Sequence, residues 1–484
     1  MKNQTLSQLN KEDRPVCHLT PETGWLNDPN GFSRYGGKYH LFYQSNPLDT
    51  CWGAPRWGHV ASTDLLHWER LPEAMTPDRP YDIDGCFSGT AIDTGEHMLM
   101  YTGFRLDPDD AKGRGIQTQC MAFGDGLTYR KYEANPVLTE KDLPEHGDPH
   151  EFRDPKLWQE PDGSFRAIMA NHNEKEGAQL LLYGSSDGRH WDFRKVLMTN
   201  KGKPGWMWEC PDFFRMEDRQ TGMQRQVVLV STMGEVECLC IIGDYDRESE
   251  TFRETAWQTL EQGFDLYAPE TIETSDGRRV LIGWMQNPQT AESRGVEYPI
   301  NGQMSLPREL TLECDRIRQW PIRELDELHE DKVVRDAVRI EDEEIRLEGV
   351  NGRIIDMTVS LRPADGYETD RQGFDEFRMR FAKDETHYTE FCYEPETGMV
   401  TLDRSHAGPG STELLKRQTK VAERNGRLDL RIVLDRLSAE IFINDGEQVM
   451  SAVIYTDRHA EDITFYVKGT AVMDIAKYRI KENK

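Results

Sequence analysis

The stretch TGWLNDPNGF, residues 23–32, is the first of five related segments whose spacing predicts the fold. Its centre, NDPNG, has the composition of a tight turn, in which an Asp side chain often bonds to nearby backbone amides. Two large apolar residues, Trp25 and Phe32, flank this turn, although solvated turns seldom carry such side chains. Asp28 is therefore open to two interpretations, as a turn-forming residue or as a functional carboxylate.

Related segments recur along the first two thirds of the chain: DIDGCFSGT, EFRDPKLW, WECPDFF and YAPETIE. An Asp followed by an aromatic residue also recurs about every 60 residues, at Asp64, Asp125, Asp187 and Asp246. Short β-type runs such as YHLFY, HMLMY, FRAIM and QVVLV lie between these positions. A fixed repeat of several strands predicts an all-β fold with a five-bladed β-propeller over residues 1–330. A β-sandwich with accidental spacing is the less favoured alternative.

A second domain is predicted over residues 331–484. The charged stretch at 325–348 predicts a connector with a short solvated helix. Beyond it, RLDLRIVLD at 427–435 alternates apolar and polar residues, and NDG at 444–446 predicts a β-hairpin. These patterns predict a C-terminal antiparallel β-sandwich.

Composition excludes several classes of partner. The 484 residues include 86 Asp and Glu against 59 Lys and Arg, a net charge of −27, which repels nucleic acid and anionic membranes. No apolar run reaches the ~20 residues of a membrane span, and the N-terminal stretch lacks the apolar segment of a secretory signal. Nine cysteines without a pairing pattern favour a reduced, cytoplasmic protein. No metal or cofactor motif is found, and a homodimer formed through the sandwich is left open.

The first strand of each propeller blade lies beside the central axis, so we expect the carboxylates of the five segments to meet in one funnel. Like charges repel when they are desolvated together, so such a concentration indicates a functional site. Carboxylates in a tryptophan-rich pocket suggest glycoside hydrolysis. Five tryptophans lie near these segments: Trp25, Trp52, Trp57, Trp206 and Trp208.

In their order and spacing, WLNDPNG, FSGT, FRDP and WECPD resemble the signatures of glycoside hydrolase family 32. This family comprises invertases, sucrose-6-phosphate hydrolases, levanases and inulinases. The resemblance extends through YQSNP (43–47), GFDLYAPE (263–270), MSLPREL (304–310) and LDRLSAEIFINDG (434–446), over nearly the whole chain. It implies a five-bladed propeller followed by a sandwich, in agreement with the repeat count.

The resemblance also implies a retaining β-fructofuranosidase that acts through a covalent fructosyl-enzyme intermediate on sucrose, sucrose-6-phosphate or short fructo-oligosaccharides. On the matching positions, Asp28 would be the nucleophile and Glu209 the acid and base. Asp154 would bind fructose hydroxyls and stabilise the transition state. The expected substrate-binding residues are Asn27, Gln44, Trp52, Phe87, Ser88, Arg153, Tyr267 and Trp284.

These roles carry physical expectations. Arg153 and the turn amides should lower the pKa of Asp28, and the neighbours Trp208 and Cys210 should desolvate Glu209. Retention further predicts that the carboxyls of Asp28 and Glu209 lie roughly 5–5.5 Å apart, whereas about 6.5–9.5 Å would favour inversion.

Three positions depart from the usual family pattern: Glu270 where Gln is usual, Arg56 where His is frequent, and Thr90 in place of Ser or Ala. Several alternatives stay open. The enzyme could be an exo-acting fructan hydrolase or a fructosyltransferase. Less favoured are an arabinanase-like propeller and a non-catalytic sugar-binding protein.

Overall fold

The computed structural model describes residues 13–291, 299–364, 373–408, 414–422 and 424–482. Its first part forms five sheets, each with four antiparallel strands, arranged as the blades of a propeller; the first sheet also includes one short parallel strand. The predicted five-bladed propeller is therefore confirmed. The predicted domain limits, 1–330 and 331–484, include residues 1–12 and 483–484, which lie outside the described residues.

The strands of each blade follow one another along the chain, starting at the axis. Blade one holds Gly24–Tyr35 (β1), Lys38–Asn46 (β2), Arg56–Ser62 (β3) and Glu69–Met75 (β4). Blade two holds Gly85–Asp93 (β5), His97–Leu106 (β6), Gly115–Gly124 (β7) and Tyr129–Lys131 (β8). Blade three, preceded by a short 3₁₀ helix at Glu140–Asp142, holds Gly147–Gln159 (β9), Phe165–Asn173 (β10), Gly177–Ser185 (β11) and Asp192–Thr199 (β12).

The last two blades complete the ring. Blade four holds Met207–Glu217 (β13), Gln224–Met233 (β14), Cys238–Asp246 (β15) and Thr251–Thr259 (β16). Blade five holds Tyr267–Glu273 (β17), Arg279–Trp284 (β18), Arg308–Glu313 (β20) and Arg316–Pro321 (β21). Between β18 and β20, the short strand Ile300–Asn301 (β19) pairs in parallel with β1 and so joins the fifth blade to the first.

Neighbouring blades bury their faces against each other, which explains the apolar runs in the middle strands. Leu180 and Leu182 of blade three, for example, share one core cluster with Val228 and Val230 of blade four. A strand covered on both faces reads as a continuous apolar run, as in LLLY and VVLV. Within the described ranges, no helix is long and apolar enough to cross a membrane.

The described residues of the second domain form eleven strands around one large core. They are His329–Glu341 (β22), Glu344–Ile345 (β23), Ile355–Pro363 (β24), Phe374–Lys383 (β25), Thr389–Glu394 (β26), Met399–Asp403 (β27), Lys416–Lys420 (β28), Leu428–Asp435 (β29), Ser438–Ile443 (β30), Gln448–Val453 (β31) and Asp462–Ile480 (β32). The long strand β32 pairs with β25 through its first half and with β24 and β22 through its second half. It therefore joins the two halves of the predicted sandwich, and β30 and β31 form the hairpin predicted at NDG.

The charged stretch predicted to be a connector is mostly strand. A 3₁₀ helix covers Arg323–Leu328, and β22 then pairs with β32 over most of its length. Many β22 side chains are exposed, so the strand lacks the apolar alternation that identifies a half-buried strand. Charged side chains are typical of a strand at the edge of a sheet, where they discourage pairing with other chains.

The two domains meet across a cluster of buried charges. His18, which precedes the propeller, lies between Asp435 (Nδ1 to Oδ2, 2.8 Å) and Glu440 (Nε2 to Oε1, 3.0 Å) of the sandwich. Arg308 of blade five donates to Glu440 from Nε at 2.7 Å and to Glu261 from a terminal nitrogen at 3.1 Å. These side chains are almost fully buried, so the ion pairs fix how the domains dock.

Candidate active site

A cavity of about 500 Å³ lies at one end of the propeller axis. All of the candidate residues from the sequence line it, and Trp25 lines it as well. They comprise three carboxylates from three blades and eight surrounding side chains: Asp28, Asp154, Glu209, Asn27, Gln44, Trp52, Phe87, Ser88, Arg153, Tyr267 and Trp284.

Irregularities in the inner strands orient the side chains of blades three to five. The pairing register shifts within β9, β13 and β17, at the sequences RDPK, ECPD and YAPE. At each shift one residue other than glycine has a positive φ: Asp154 (58°), Cys210 (47°) and Ala268 (50°). A β-bulge of this kind bends the strand and redirects its side chains, and such bulges are common beside active sites.

The bulges bring one side chain from each of three adjacent blades into contact. Arg153, Glu209 and Tyr267 occupy the same position before the bulge in their strands. Arg153 donates to Glu209 Oε1 from Nε at 3.2 Å and from a terminal nitrogen at 2.9 Å. The hydroxyl of Tyr267 donates to Glu209 Oε2 at 2.5 Å. Both oxygens of Glu209 are therefore held by fixed donors.

Asp28 is partly exposed to the cavity and accepts hydrogen bonds from neutral groups. Ser88 Oγ donates to Asp28 Oδ2 at 2.9 Å, and Cys210 Sγ lies 3.7 Å from the same oxygen. Burial, together with the charge of Glu209, raises the pKa of Asp28 to about 6, while the bonds from Asn27, Ser88 and Cys210 lower it. The lowered pKa expected for Asp28 is wrong.

Arg153, the cation expected beside Asp28, contacts other acids. Its guanidinium pairs with Glu151, with Glu209, and at 3.8 Å with Asp154. Burial opposes the charge of Arg153, but these three carboxylates raise its pKa above the ordinary value. Arg153, the buried cation beside these carboxylates, therefore pairs with acids other than Asp28.

The apolar surroundings expected for Glu209 are also not found. Trp208 is fully buried in the blade core, where its Nε1 donates to the carbonyl oxygen of Pro204 at 3.0 Å. The Glu209 side chain is 18% exposed and faces the cavity beside Arg153. Neighbours in a strand point to opposite faces, so the residue before Glu209 does not cover it.

Asp154 lies beside Asp28 and is fixed by the backbone of blade four. Its Oδ2 accepts a hydrogen bond from Cys210 N at 2.9 Å, and its own amide donates to Thr102 Oγ1 at 3.0 Å. Burial raises the pKa of Asp154 to about 7, although the charge of Arg153 opposes that shift. Cys210 Sγ is within 3.7 Å of both Asp28 and Asp154, so the two carboxylates share one small space.

Tryptophans and polar groups surround the carboxylates. Trp25 and Trp284 pack together with ring centroids 5.8 Å apart, and Trp52 stands at the mouth with half of its surface exposed. The buried Nε1 of Trp284 has no hydrogen-bond partner within the part of the chain that the structure describes. Of the other tryptophans near the repeated segments, Trp57 is buried in the core and Trp206 is exposed outside the cavity.

Several residues that line the cavity were missed from the sequence: Phe104, Arg114, Gln117, His150, Glu151, Pro288 and Ala291. Most of them come from loops and from strand β7, outside the five repeated segments. Arg114 and His150 add positive charge or hydrogen-bond donors at the blade-two and blade-three side of the mouth. Glu151 begins the repeated segment EFRDPKLW and could have been found from it, whereas only the pairing of blades in space brings the others to the site.

Two of the carboxylates expected in the funnel lie elsewhere. Asp212 and Glu270 follow the bulges by two residues, at the position that Lys156 occupies in blade three. Asp212 pairs with Lys156 Nζ at 3.0 Å. Glu270 accepts hydrogen bonds from Gly31 N at 3.2 Å and Phe32 N at 2.7 Å. Asp154, Asp212 and Glu270 are spaced 58 residues apart in the sequence, but the residue equivalent to Asp154 in blade four is Cys210. An alignment of Asp154 with Asp212 by that spacing is therefore wrong by two residues.

The three departures from the usual pattern lie outside the cavity. The charge of Lys156 opposes the effect of burial on Glu270, yet burial still raises the pKa of Glu270 to about 7. Its carboxylate binds the turn that follows Asp28, so its contact with the site is through the backbone. Arg56 pairs with Glu73 at 3.3 Å, and Thr90 lines a second cavity described below.

One further cluster has the geometry of metal ligands, at the start of the second domain. Asp326, His329 and Asp356 offer ligand atoms within 4.8 Å of one another. However, Arg431 donates to Asp326 and to Asp356, each at 2.6 Å. A guanidinium already supplies the positive charge at this position.

A five-bladed propeller with carboxylates from three blades in a tryptophan-lined axial cavity defines a glycoside hydrolase, because two acids beside a sugar-binding surface are what glycosidic cleavage requires. Comparison with known families identifies the particular group. The model described as "Glycosyl hydrolases family 32 N-terminal domain" matches residues 18–321, and "Glycosyl hydrolases family 32 C terminal" matches residues 324–482. The chain belongs to glycosyl hydrolases family 32.

Similar proteins are found among curated sequences and solved structures. A sucrose-6-phosphate hydrolase of Zymomonas mobilis is 32% identical, over 97% of this chain and 92% of that protein. A raffinose invertase of Escherichia coli is 32% identical, over 95% and 93%. The structure of a β-fructofuranosidase of Bombyx mori is 32% identical with a TM-score of 0.79, over 98% and 95%. A mutant of the Bombyx mori enzyme has also been solved in complex with sucrose.

Proposed function

We propose that this protein is a retaining β-fructofuranosidase that hydrolyses the terminal β-D-fructofuranosyl bond of its substrate. The observation that carries the proposal is the meeting of Asp28, Asp154 and Glu209 in one cavity, with Arg153 and Tyr267 on Glu209. Family membership and the activities of the similar proteins support the same conclusion.

In the first step, Asp28 would attack the anomeric carbon of the fructosyl group while Glu209 protonates the departing oxygen. The C–O bond to the leaving sugar breaks and a bond to Asp28 forms. In the second step, Glu209 takes a proton from water, which releases fructose and restores Asp28. Asp28 must be ionised to attack, and its pKa of about 6 leaves most of it ionised at neutral pH.

Asp154 would bind the fructose hydroxyls rather than take part in bond exchange. Two side chains beside the carboxylates have hydrogen-bonding capacity for a sugar. The buried Trp284 Nε1 is a free donor within the described ranges, and Gln44 uses only its amide nitrogen, on the carbonyl oxygen of Cys86 at 3.0 Å. A sugar hydroxyl placed there would satisfy groups that are otherwise costly to bury.

The substrates favoured by this site are sucrose, sucrose-6-phosphate and short fructo-oligosaccharides. A phosphate group needs a cationic side chain at the outer part of the cavity, and Arg114 lines it there. Arg114 also pairs with Asp110 at 3.0 Å and with Asp148 at 3.5 Å, which fixes its position but reduces its free charge.

The test is a comparison of kcat/KM for sucrose, sucrose-6-phosphate, kestose and inulin, in the wild type and in Arg114→Gln. Turnover of at least one substrate, with release of β-fructose as the first anomer seen by NMR, is the expected result. Release of α-fructose would contradict retention and the predicted separation of Asp28 and Glu209. Recognition of phosphate by Arg114 predicts a loss of about tenfold or more on sucrose-6-phosphate only. Binding of sugars without any turnover would instead indicate a sugar-binding protein.

Three other expectations stay predictions: the division of the chain at residues 330 and 331, a cytoplasmic location, and a homodimer formed through the sandwich. Limited proteolysis, cell fractionation and sedimentation analysis would test them in turn.

A further inference from the structure

A second cavity, of about 410 Å³, lies at the other end of the propeller axis. All five inner strands contribute to both cavities, with earlier residues in the active-site cavity and later residues in this one. In β1 the active-site residue Asp28 is followed six positions later by Arg34, and in β13 Glu209 is followed six positions later by Arg215. At ~3.3 Å per residue, the two cavities are about 20 Å apart. We call this second space the distal cavity.

Two buried hydrogen-bonding groups of the distal cavity have no partner among the residues described. One is Thr271 Oγ1, on a residue that is 3% exposed, and the other is Arg279 Nε. The guanidinium of Arg279 packs 4.8 Å over the ring of Phe214, and among the described residues it forms an ion pair with the exposed Glu273 alone, at 3.3 Å. Unsatisfied buried groups are costly, so a ligand that accepts from them would be held.

Further positive charge surrounds the distal cavity. The side chains of Arg34 and Arg215 line it, are exposed, and form no ion pair or hydrogen bond with any residue in the described part of the chain. Lys156 and Arg247 line it as well. Five cationic side chains in one cavity are unexpected in a chain with a net charge of −27.

The four acids of the distal cavity leave a positive balance. Asp212 is neutralised by Lys156 at 3.0 Å. Glu160 accepts from Trp158 Nε1 at 2.7 Å and faces Arg247 at 3.4 Å. The two remaining acids, Glu273 beside Arg279 and Asp93 at the rim, are exposed to solvent. Among the described residues of this cavity, two cations, Arg34 and Arg215, are therefore left unpaired, against one unpaired acid, Asp93.

One wall of the distal cavity is aromatic. The rings of Trp158 and Phe213 lie 4.7 Å apart, and those of Phe213 and Tyr245 lie 5.2 Å apart. Flat rings suit the C–H face of a sugar, and arginine suits phosphate because its donors match the oxygens in pairs. A cavity of this size is within the usual range for small-molecule sites, roughly 300–1,000 Å³.

We propose that the distal cavity is a second ligand site, for a phosphorylated sugar or a phosphate monoester of similar size. The phosphate is bound by Arg215, Arg279 and the hydroxyl of Thr271, with Arg34 adding charge at the rim. The sugar lies against Trp158. This site is separate from the proposed active site and does not depend on the proposed reaction.

The test is calorimetric titration of the intact protein at low salt with glucose 6-phosphate, glucose and inorganic phosphate. We expect glucose 6-phosphate to bind the wild type, inorganic phosphate to compete with it, and glucose alone not to bind. The double variant Arg34→Gln/Arg215→Gln should weaken binding about tenfold or more, because each arginine supplies a charge-assisted contact. Its kcat/KM for sucrose should equal that of the wild type.

Arg114→Gln is the matched control, since it alters the mouth of the active-site cavity instead. Thr271→Val, which keeps the shape and removes the hydroxyl, should weaken binding by a smaller factor with an unchanged melting temperature. The proposal is overturned if the wild type does not bind glucose 6-phosphate. It is equally overturned if only Arg114→Gln reduces binding. The readout is binding, so a failure of the proposed hydrolysis would leave these results unaffected.

Discussion

Two groups of buried charges in this protein differ in how their carboxylates are balanced. At the junction of propeller and sandwich, Asp435 and Glu440 are paired with His18 and Arg308. In the active-site cavity, the hydrogen-bond donors to Asp28 among the described residues are all neutral, and Arg153 is shared among other acids. The first arrangement holds two domains together, and the second keeps a carboxylate reactive at a cost in stability.

The pKa values follow the same division. Burial would raise the pKa of Asp435 and of Glu440, but His18 and Arg308 outweigh it and lower both values. His18, although buried, has its pKa raised to about 9 by the two acids. The contribution of His18 to the junction is thus complete below about pH 6.5 and is lost as the pH rises to about 9. Asp435 and Glu440, in contrast, stabilise the junction fully above their ordinary pKa values and lose this effect as the pH falls through the lowered ones. The raised pKa of Asp28 has the opposite effect, because ionisation above about pH 6 destabilises the fold.

The largest expected effect comes from Asp28→Asn. Activity should fall by about 10⁴-fold or more, because the amide cannot act as the nucleophile. The free energy of unfolding at pH 8 should rise by about 1–3 kcal/mol, since a buried charge has been removed. The gain should vanish below about pH 3, where the wild-type carboxyl is protonated in both states. Urea unfolding at the two pH values measures it, and a destabilised variant at pH 8 would contradict the comparison.

The next largest effect comes from the junction, where Arg308→Met leaves Glu261 buried without its cation and Glu440 with His18 alone. We expect a loss of about 3–5 kcal/mol of stability, seen as a lower urea midpoint. Arg130→Met is the control, because Arg130 pairs with Glu96 on the surface with 77% of its side chain exposed. That change should cost less than about 1 kcal/mol. Equal losses of stability in the two variants would show that the buried ion pairs of the junction matter no more than a surface ion pair.

A smaller effect is expected from Ser88→Ala, which removes one of the donors to Asp28. In the wild type, kcat/KM should fall about tenfold per pH unit below about pH 6, because protonated Asp28 cannot attack. Without the hydroxyl the pKa of Asp28 rises, so this acidic limb should move to higher pH. Ser33→Ala is the control, since Ser33 Oγ bonds to the Gly31 carbonyl oxygen and His97 instead. If the acidic limb of the kcat/KM profile does not move in Ser88→Ala, the ionisation of Asp28 does not determine that limb.

The smallest effect is expected from Glu270→Gln, which acts on Asp28 through the backbone. An amide has one acceptor oxygen, so either Gly31 N or Phe32 N loses its partner. Loss of one hydrogen bond, about 1 kcal/mol, predicts a three- to tenfold lower kcat. Glu69→Gln, at an exposed position of blade one, should leave kcat unchanged. If kcat changes no more in Glu270→Gln than in Glu69→Gln, the turn after Asp28 does not need both of its backbone hydrogen bonds to residue 270.

The sequence was sufficient for the architecture because a propeller repeats its strands at a fixed period. The carboxylates Asp28, Asp154 and Glu209 could be found because each lies in a repeated segment. The β-bulges cannot be located from the sequence. Spacing alone therefore aligns Asp212 with Asp154, although Asp212 lies beyond the bulge of its own strand. The sequence also could not show that Arg153 pairs with Glu209 and not with Asp28, because Arg153 reaches Glu209 only through the packing of adjacent blades.

Covalent trapping of the nucleophile tests the central claim most directly. In Glu209→Ala, a fructoside with a leaving group that needs no proton should still react, whereas hydrolysis of the intermediate is slowed for lack of a base. Intact-protein mass spectrometry should then show the addition of one fructosyl group, and peptide mapping should place it on Asp28. Addition at any other residue, or turnover of the fructoside without an adduct at any time, would contradict the assignment of Asp28 as the nucleophile.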